Sequence, residues 1–187
     1  LIYFEMQNDN LKSYLHLHVI VFIWGFTAIL GKLISLEALD LVWYRMLFAS
    51  VIMTFVVLFN KEKVKVPFNV LVGFIVSGII IAAHWLTFYQ AIKVSNVSIT
   101  LACLSTGAFF ASILEPIFYK RKVIWYELLF GLIVVVGLGI IFNVETKYTT
   151  GIYLAVTSAF LSALFSVING KYAKEYDPNV ISLYELS

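Results

Sequence analysis

Six long apolar runs, joined by short polar links, limit what this chain can fold into more than any other feature. They cover residues 16–35, 41–59, 70–92, 99–119, 125–142 and 151–170, each between 18 and 23 residues long. A helix needs about 20 mostly apolar residues to cross the hydrocarbon of a bilayer. In lipid, every backbone polar group must be satisfied within the segment or a closed barrel, so runs of this length read as helices. Hydrophobic residues are 61% of the 187 and charged residues 13%, against about 45–50% and about 25% in soluble domains. The expected fold is therefore all-α: a polytopic membrane helix bundle, with the bilayer as its main partner. A net charge of +2 gives no ground for a nucleic-acid partner. The single cysteine, Cys103, cannot form an internal disulfide.

Basic residues in short loops orient such a bundle. The links after the second, fourth and sixth runs carry Lys61, Lys63, Lys65, Lys120, Arg121, Lys122, Lys171 and Lys174. The links after the first, third and fifth offer only Lys93 and Lys147. The N-terminus and the three basic links are expected in the cytoplasm. Residues 1–15 read as a cytoplasmic segment, in which 1–5, ahead of the first methionine Met6, need not be native.

A weak repeat suggests the larger plan. "ILGKLISLEALDLVWYRM" from Ile29 and "INGKYAKEYDPNVISLYEL" from Ile168 both run Ile-x-Gly-Lys, polar link, apolar start, Tyr-charge-apolar. Tyr44-Arg45 aligns with Tyr184-Glu185, with one extra residue in the second link. The two copies stand five runs apart. Five is odd, so the second copy enters the membrane upside down, the arrangement of an inverted-topology repeat. Residues 16–145 then form one complete five-helix repeat and 146–187 an incomplete second one. In "DPNVISLYELS", Asp177 reads as an N-cap and Pro178 as the first helical residue. About ten residues reach only about 15 Å, so the helix is expected to continue past Ser187 and the intact protein to hold ten helices. Alone, 177–187 is expected to rest at the cytoplasmic interface as a short or frayed helix, and the 187-residue chain is expected not to transport.

At this point the sequence resembles a family. "IWGFTAILGKLI", "WYRMLFAS", "YQAIKVSNVSITLACLSTGAFFASILEPIFYKRK" and "ELLFGLIVVVGLGIIF" are similar to segments of the EamA-type transporters of the drug/metabolite transporter superfamily. The resemblance runs from about Leu17 to the end of the chain. It implies two inverted five-helix repeats around a central substrate cavity, with both termini cytoplasmic in a plasma membrane, here the bacterial inner membrane. The chain departs from the family pattern in its fourth run. Thr106-Gly107 stands where many members have a proline, and "YKRK" where they have an acidic residue.

Candidate cavity residues are those an apolar run should not contain without cause. Arg45, about 6 Å into the second run, is either a helix-end anchor that snorkels outward or a clamp for a substrate carboxylate. His84 lies about 21 Å into the third run, where an imidazole must face protein or water. Phe88 lies one turn on, and Trp85 pairs with Tyr89 beside it. This reads as an aromatic-polar wall for a flat or apolar ligand, or else as a buried histidine with Trp85 and Tyr89 in the interfacial belt. Trp24, Thr27 and Gly31 share a face of the first run. Ser158, Ser162, Ser166 and Asn169 line a stripe of the sixth, where packing of small residues is the plainer reading for the serines. Glu115 precedes Pro116, which should kink the fourth helix and free a carbonyl at Ser112. Its carboxylate is a proton-coupling group or a member of a structural ion pair; it is expected to pair with Lys171 or to face Glu185.

The function expected is export of small metabolites such as amino acids by alternating access, without cofactor, metal or enzymatic activity; a homodimer is also considered. Two alternatives stand beside it. One is a membrane enzyme on lipid-linked substrates, for which His16, His18 and scattered acids are the available groups. The other is a non-transporting scaffold or inactive fragment. No phosphate loop, His-Glu-x-x-His or Gly-x-Ser-x-Gly motif occurs.

Overall fold

A computed structural model describes residues 2–144 and 146–187, with side chains for 11–143 and 146–187. The readings of residues 1–5 and of a boundary at 145 lie outside the described residues or side chains. The helices are α1 (Ile2–Leu33), α2 (Ala38–Asn60), α3 (Phe68–Val94), α4 (Val97–Leu104), α5 (Gly107–Tyr119), α6 (Trp125–Val144), α7 (Thr149–Tyr172) and α8 (Pro178–Leu186). A short 3-10 turn, Thr146–Tyr148, leads into α7. Six stretches are long and apolar enough to cross a membrane: Leu11–Leu33, Ala38–Asn60, Phe68–Val94, Val97–Tyr119, Trp125–Asn143 and Thr146–Tyr172. They correspond to the six runs of the sequence.

The surface is apolar as well as the core. Phe59 is 82% exposed, Phe68 78% and Trp125 72%. Helices apolar all round suit a bilayer and would aggregate in water.

The bundle is built around α3 and α7. On α7, Gly151, Ala155, Ala159 and Ala163 recur every fourth residue and are all buried. Such a stripe lets backbones approach closely where lipid offers no hydrophobic drive. A Cβ on Gly151 would lie 2.5 Å from the Ser95 Cβ, so only glycine fits that contact. α4 and α5 pack along α7, α6 covers α5, and α1 and α2 rest on α3. Lysines cap neighbouring helices at one end. Lys32 donates to the Ile92 carbonyl at 3.3 Å, and Lys93 donates to that of Ile34.

The fourth run departs from its reading as one helix. It breaks between α4 and α5, at Ser105-Thr106, well before Pro116. Ser105 Oγ donates to the Ala102 carbonyl at 2.6 Å and Thr106 Oγ1 to that of Cys103 at 2.7 Å. Consecutive hydroxyls that bond carbonyls three residues back compete with the backbone N–H groups and tighten the turn. Pro116 stays inside α5. The break in the run falls at the hydroxyl pair and not at the proline.

The second departure is α8. Asp177 caps it, its carboxylate accepting from the Asn179 N–H at 2.8 Å, and Pro178 is its first residue, as the sequence reads. The helix is packed against its neighbours over its length. It inserts between α2 and α3. Asn179 donates to Glu62 beyond the end of α2, while Ser187 meets Ser50 inside α2 at 3.0 Å. Phe74 of α3 anchors this end of the bundle among Tyr172, Tyr176 and Tyr184, at ring distances of 5.0, 5.7 and 6.0 Å.

Candidate functional site

Six of the residues singled out in the sequence, Arg45, His84, Trp85, Phe88, Tyr89 and Ser158, come together along α3 where it faces α2 and α7. Arg45 leaves α2 half-buried and crosses to α3. Its Cζ stands 4.3 Å from the Trp85 ring centroid and 5.9 Å from that of Tyr89. Nη1 donates a hydrogen bond to the Tyr89 hydroxyl. Trp85 and Tyr89 lie one turn apart on α3, which is why both reach the same guanidinium. Arg45 is therefore turned into the bundle and does not snorkel outward. Tyr89 is only 3% exposed, so its assignment to the interfacial belt is corrected. It packs into the core with Ala28, Leu41, Val42, Phe88 and Ile92.

His84 shares the next face of α3. Its ring stacks on Phe88 (6.2 Å between centroids, 23° between planes) and meets Phe165 of α7 at 5.6 Å. Nδ1 lies 2.9 Å from the Ser158 carbonyl oxygen and 2.8 Å from Ser158 Oγ, which in turn donates to the His84 carbonyl at 3.1 Å. A carbonyl can only accept, so Nδ1 carries the proton and Nε2 of the neutral ring is an acceptor. Among the described residues Nε2 has no partner, and it is not among the atoms sealed from solvent. Ser158, read in the sequence as packing, is a hydrogen-bond partner at the α3–α7 seam.

The remaining candidates lie elsewhere. Trp24 is 67% exposed and does not join the cluster. Thr27 is half-buried beside Ala28, while Gly31 packs on the Tyr89 ring. Asn169 donates from Nδ2 to Glu185 Oε2 at 2.8 Å. Glu115 pairs with Arg121 at 2.8 Å, and the same guanidinium nitrogen holds Glu127 at 2.9 Å. The expected partner Lys171 is exposed and takes no part. The two carboxylates, Glu127 first and then Glu115, hold the Arg121 guanidinium above its usual pKa. These three side chains border a cleft of about 410 Å³ between α5 and α6. With side chains 28–39% exposed, the trio is best described as a partly solvated ion-pair network.

Sequence reasoning missed Tyr89, Ser158, Phe165 and Arg121 as partners. The i, i+4 spacing of Trp85 and Tyr89 carried the signal for the first. The others depend on how helices distant in sequence meet. Among the described residues, no three His, Cys, Asp or Glu side chains group closely enough to hold a metal ion.

Residues 11–143 match the EamA-like transporter family. No curated protein and no solved structure matches the chain.

Proposed function

The chain belongs to the EamA-like transporter family and is a multi-pass membrane protein; on that premise we propose that it exports small metabolites such as amino acids. In this reading two inverted five-helix repeats alternate access to a site between them, in the bacterial inner membrane, with the N-terminus and the basic links in the cytoplasm.

One observation carries the cargo class. Arg45 is turned into an apolar bundle, framed by Trp85 and Tyr89, and neither ion pair among the described residues includes it. A guanidinium always keeps its charge, and a cation at depth needs an anion or water. A cargo carboxylate fits, because it can accept two parallel N–H bonds from the guanidinium. In this reading Nε2 of His84, one residue before Trp85, accepts from an N–H of the same cargo. Phe88 and Phe165 supply an apolar wall beside it.

The test is counterflow of labelled amino acids into proteoliposomes holding the complete gene product. Saturable counterflow of at least one amino acid is expected. Failure across a full amino-acid panel would overturn the cargo class.

A further inference from the structure

The sequence offered Glu115 as a proton-coupling carboxylate, but Arg121 neutralises it. A different acid lies buried without a counter-ion. Glu185 of α8 is 5% exposed and belongs to neither ion pair among the described residues. One of its oxygens, Oε2, accepts from Asn169 Nδ2 of α7. Among the described residues the other, Oε1, is buried with no hydrogen-bond partner at bonding geometry. Two more buried oxygens in its surroundings share that condition: Asn169 Oδ1 and the Oγ of Ser77, which is 0% exposed on α3. Ser77 lies close enough to act on the carboxyl. The helices approach closely here and leave no room for a large ion in the packed seam. A Cβ on the neighbouring Gly78 would fall 2.5 Å from the Glu185 carbonyl oxygen.

We propose that Glu185, Asn169 and Ser77 form a proton-binding site at the α3–α7–α8 seam, through which a proton gradient drives the transport proposed above. The donors are too few. Two carboxylate oxygens, an amide oxygen and a hydroxyl converge on one seam, and the acceptors outnumber the hydrogens that can serve them. A proton on Oε1 adds the missing donor and removes the buried charge in one step. It hydrogen-bonds to Ser77 Oγ or Asn169 Oδ1. Loss of that proton to water leaves an unpaired anion between apolar helices, which is tolerable only if the seam loosens and water enters. The proton therefore favours the packed seam and its release favours an opened one. This is a differential interaction with two conformations, the requirement for coupling.

Among the described side chains no other charge competes at the seam. α2 contributes no ionisable side chain from Met46 to Asn60. Glu62, past its end, is held at Asn179, about 9 Å along α8 from Glu185. On α3 the ionisable residue after Ser77 is His84, about two turns on and bonded to Ser158. On α7 Lys171 is exposed and Tyr172 packs on Phe74. Tyr184 donates to the Val64 carbonyl, and Tyr176 packs on Phe74.

The inference rests on the transporter reading, so two measurements separate them. The first is infrared difference spectroscopy of the complete gene product in lipid, titrated from alkaline to acid. A protonated-carboxyl band that appears on acidification in the parent and is missing in Glu185→Gln supports the site; identical parent and variant spectra overturn it. Glu185→Asp, which keeps the carboxyl, should shift the band without removing it, and an unshifted band also overturns the site. The second is uptake in proteoliposomes. Glu185→Gln should lose at least tenfold in accumulation driven by a pH gradient, and Glu185→Asp, which can still take up a proton, should retain part of it. Accumulation equal to the parent's overturns the coupling. A normal band with no amino-acid flux in the parent would sink the cargo class and leave the proton site standing.

Discussion

At the scale of single residues, ionisable groups in apolar runs were the legible part of the site. Arg45 and His84 stand out because charge or polarity at depth requires a partner. Their partners were less legible. Tyr89 was placed at the interface because tyrosine often sits there, yet depth along a helix does not say which way a side chain faces. Glu115 was offered Lys171 across the bundle, whereas the chain after α5 turns back sharply at Lys120, with φ of 52°, and brings Arg121 to it. Trp24 shares a helical face with Gly31, but α1 has its buried residues near its C-terminal end, at Ala28 and Gly31. His84→Ala removes the hydrogen bonds that tie α3 to Ser158 and also empties the wall beside Arg45. Transport by the complete protein should fall at least tenfold while folded yield falls far less. Ser158→Ala should cost about 1 kcal/mol of stability, the net worth of one hydrogen bond, and spare most of the transport. If the purified His84→Ala variant transports like the parent, the histidine is a packing residue.

At the scale of elements, every helix expected from apolar length is present, because length and composition determine that. Breaks within them depend on local competition for carbonyls. Pro116 is conspicuous in a sequence and remains in a helix. Ser105-Thr106 is inconspicuous and interrupts one. Helix ends show the same sensitivity to local geometry. Lys61, just past α2, has φ of 54°, and the Lys61 and Glu62 N–H groups close on the Leu58 and Val57 carbonyls at 3.2 and 3.1 Å. This is the Schellman arrangement, for which glycine is the favoured residue. The left-handed conformation costs other residues about 1–2 kcal/mol. Lys61→Gly should therefore raise stability in detergent by about 1 kcal/mol and Lys61→Val should lower it. Denaturant titration followed by helical circular dichroism measures both. Equal midpoints for the three proteins would contradict the strain assigned to this position.

At the scale of the whole molecule, the charge pattern and the packing agree on how the chain threads. Tyr184 of α8 donates to Val64 in the link after α2. Tyr119, at the end of α5, donates to Val167 of α7 and carries Lys174 over its ring at 5.1 Å. The three basic links thus gather at one end of the bundle. Lys32, Lys93 and the Ser95–Gly151 contact mark the other. In a Cys103→Ser background, single cysteines at positions 63 and 147 should report opposite sides, with 147 labelled by an impermeant thiol reagent in whole cells and 63 only after permeabilisation. Labelling of position 63 in intact cells would refute the orientation. The insertion of α8 was not legible, since a short apolar segment reads equally as an interfacial helix, and its place depends on Gly78 and the Phe74 aromatic cluster.

Whether the Arg45 guanidinium receives a carboxylate is tested directly by one comparison. Counterflow by the complete protein is measured for an amino acid it carries and for the corresponding carboxamide, in the parent and in Arg45→Gln. The parent should prefer the carboxylate by at least tenfold, and Arg45→Gln should abolish that preference while still folding into a bundle of normal helix content. An undiminished preference for the carboxylate in Arg45→Gln would show that the anion is bound elsewhere and would contradict the site described here.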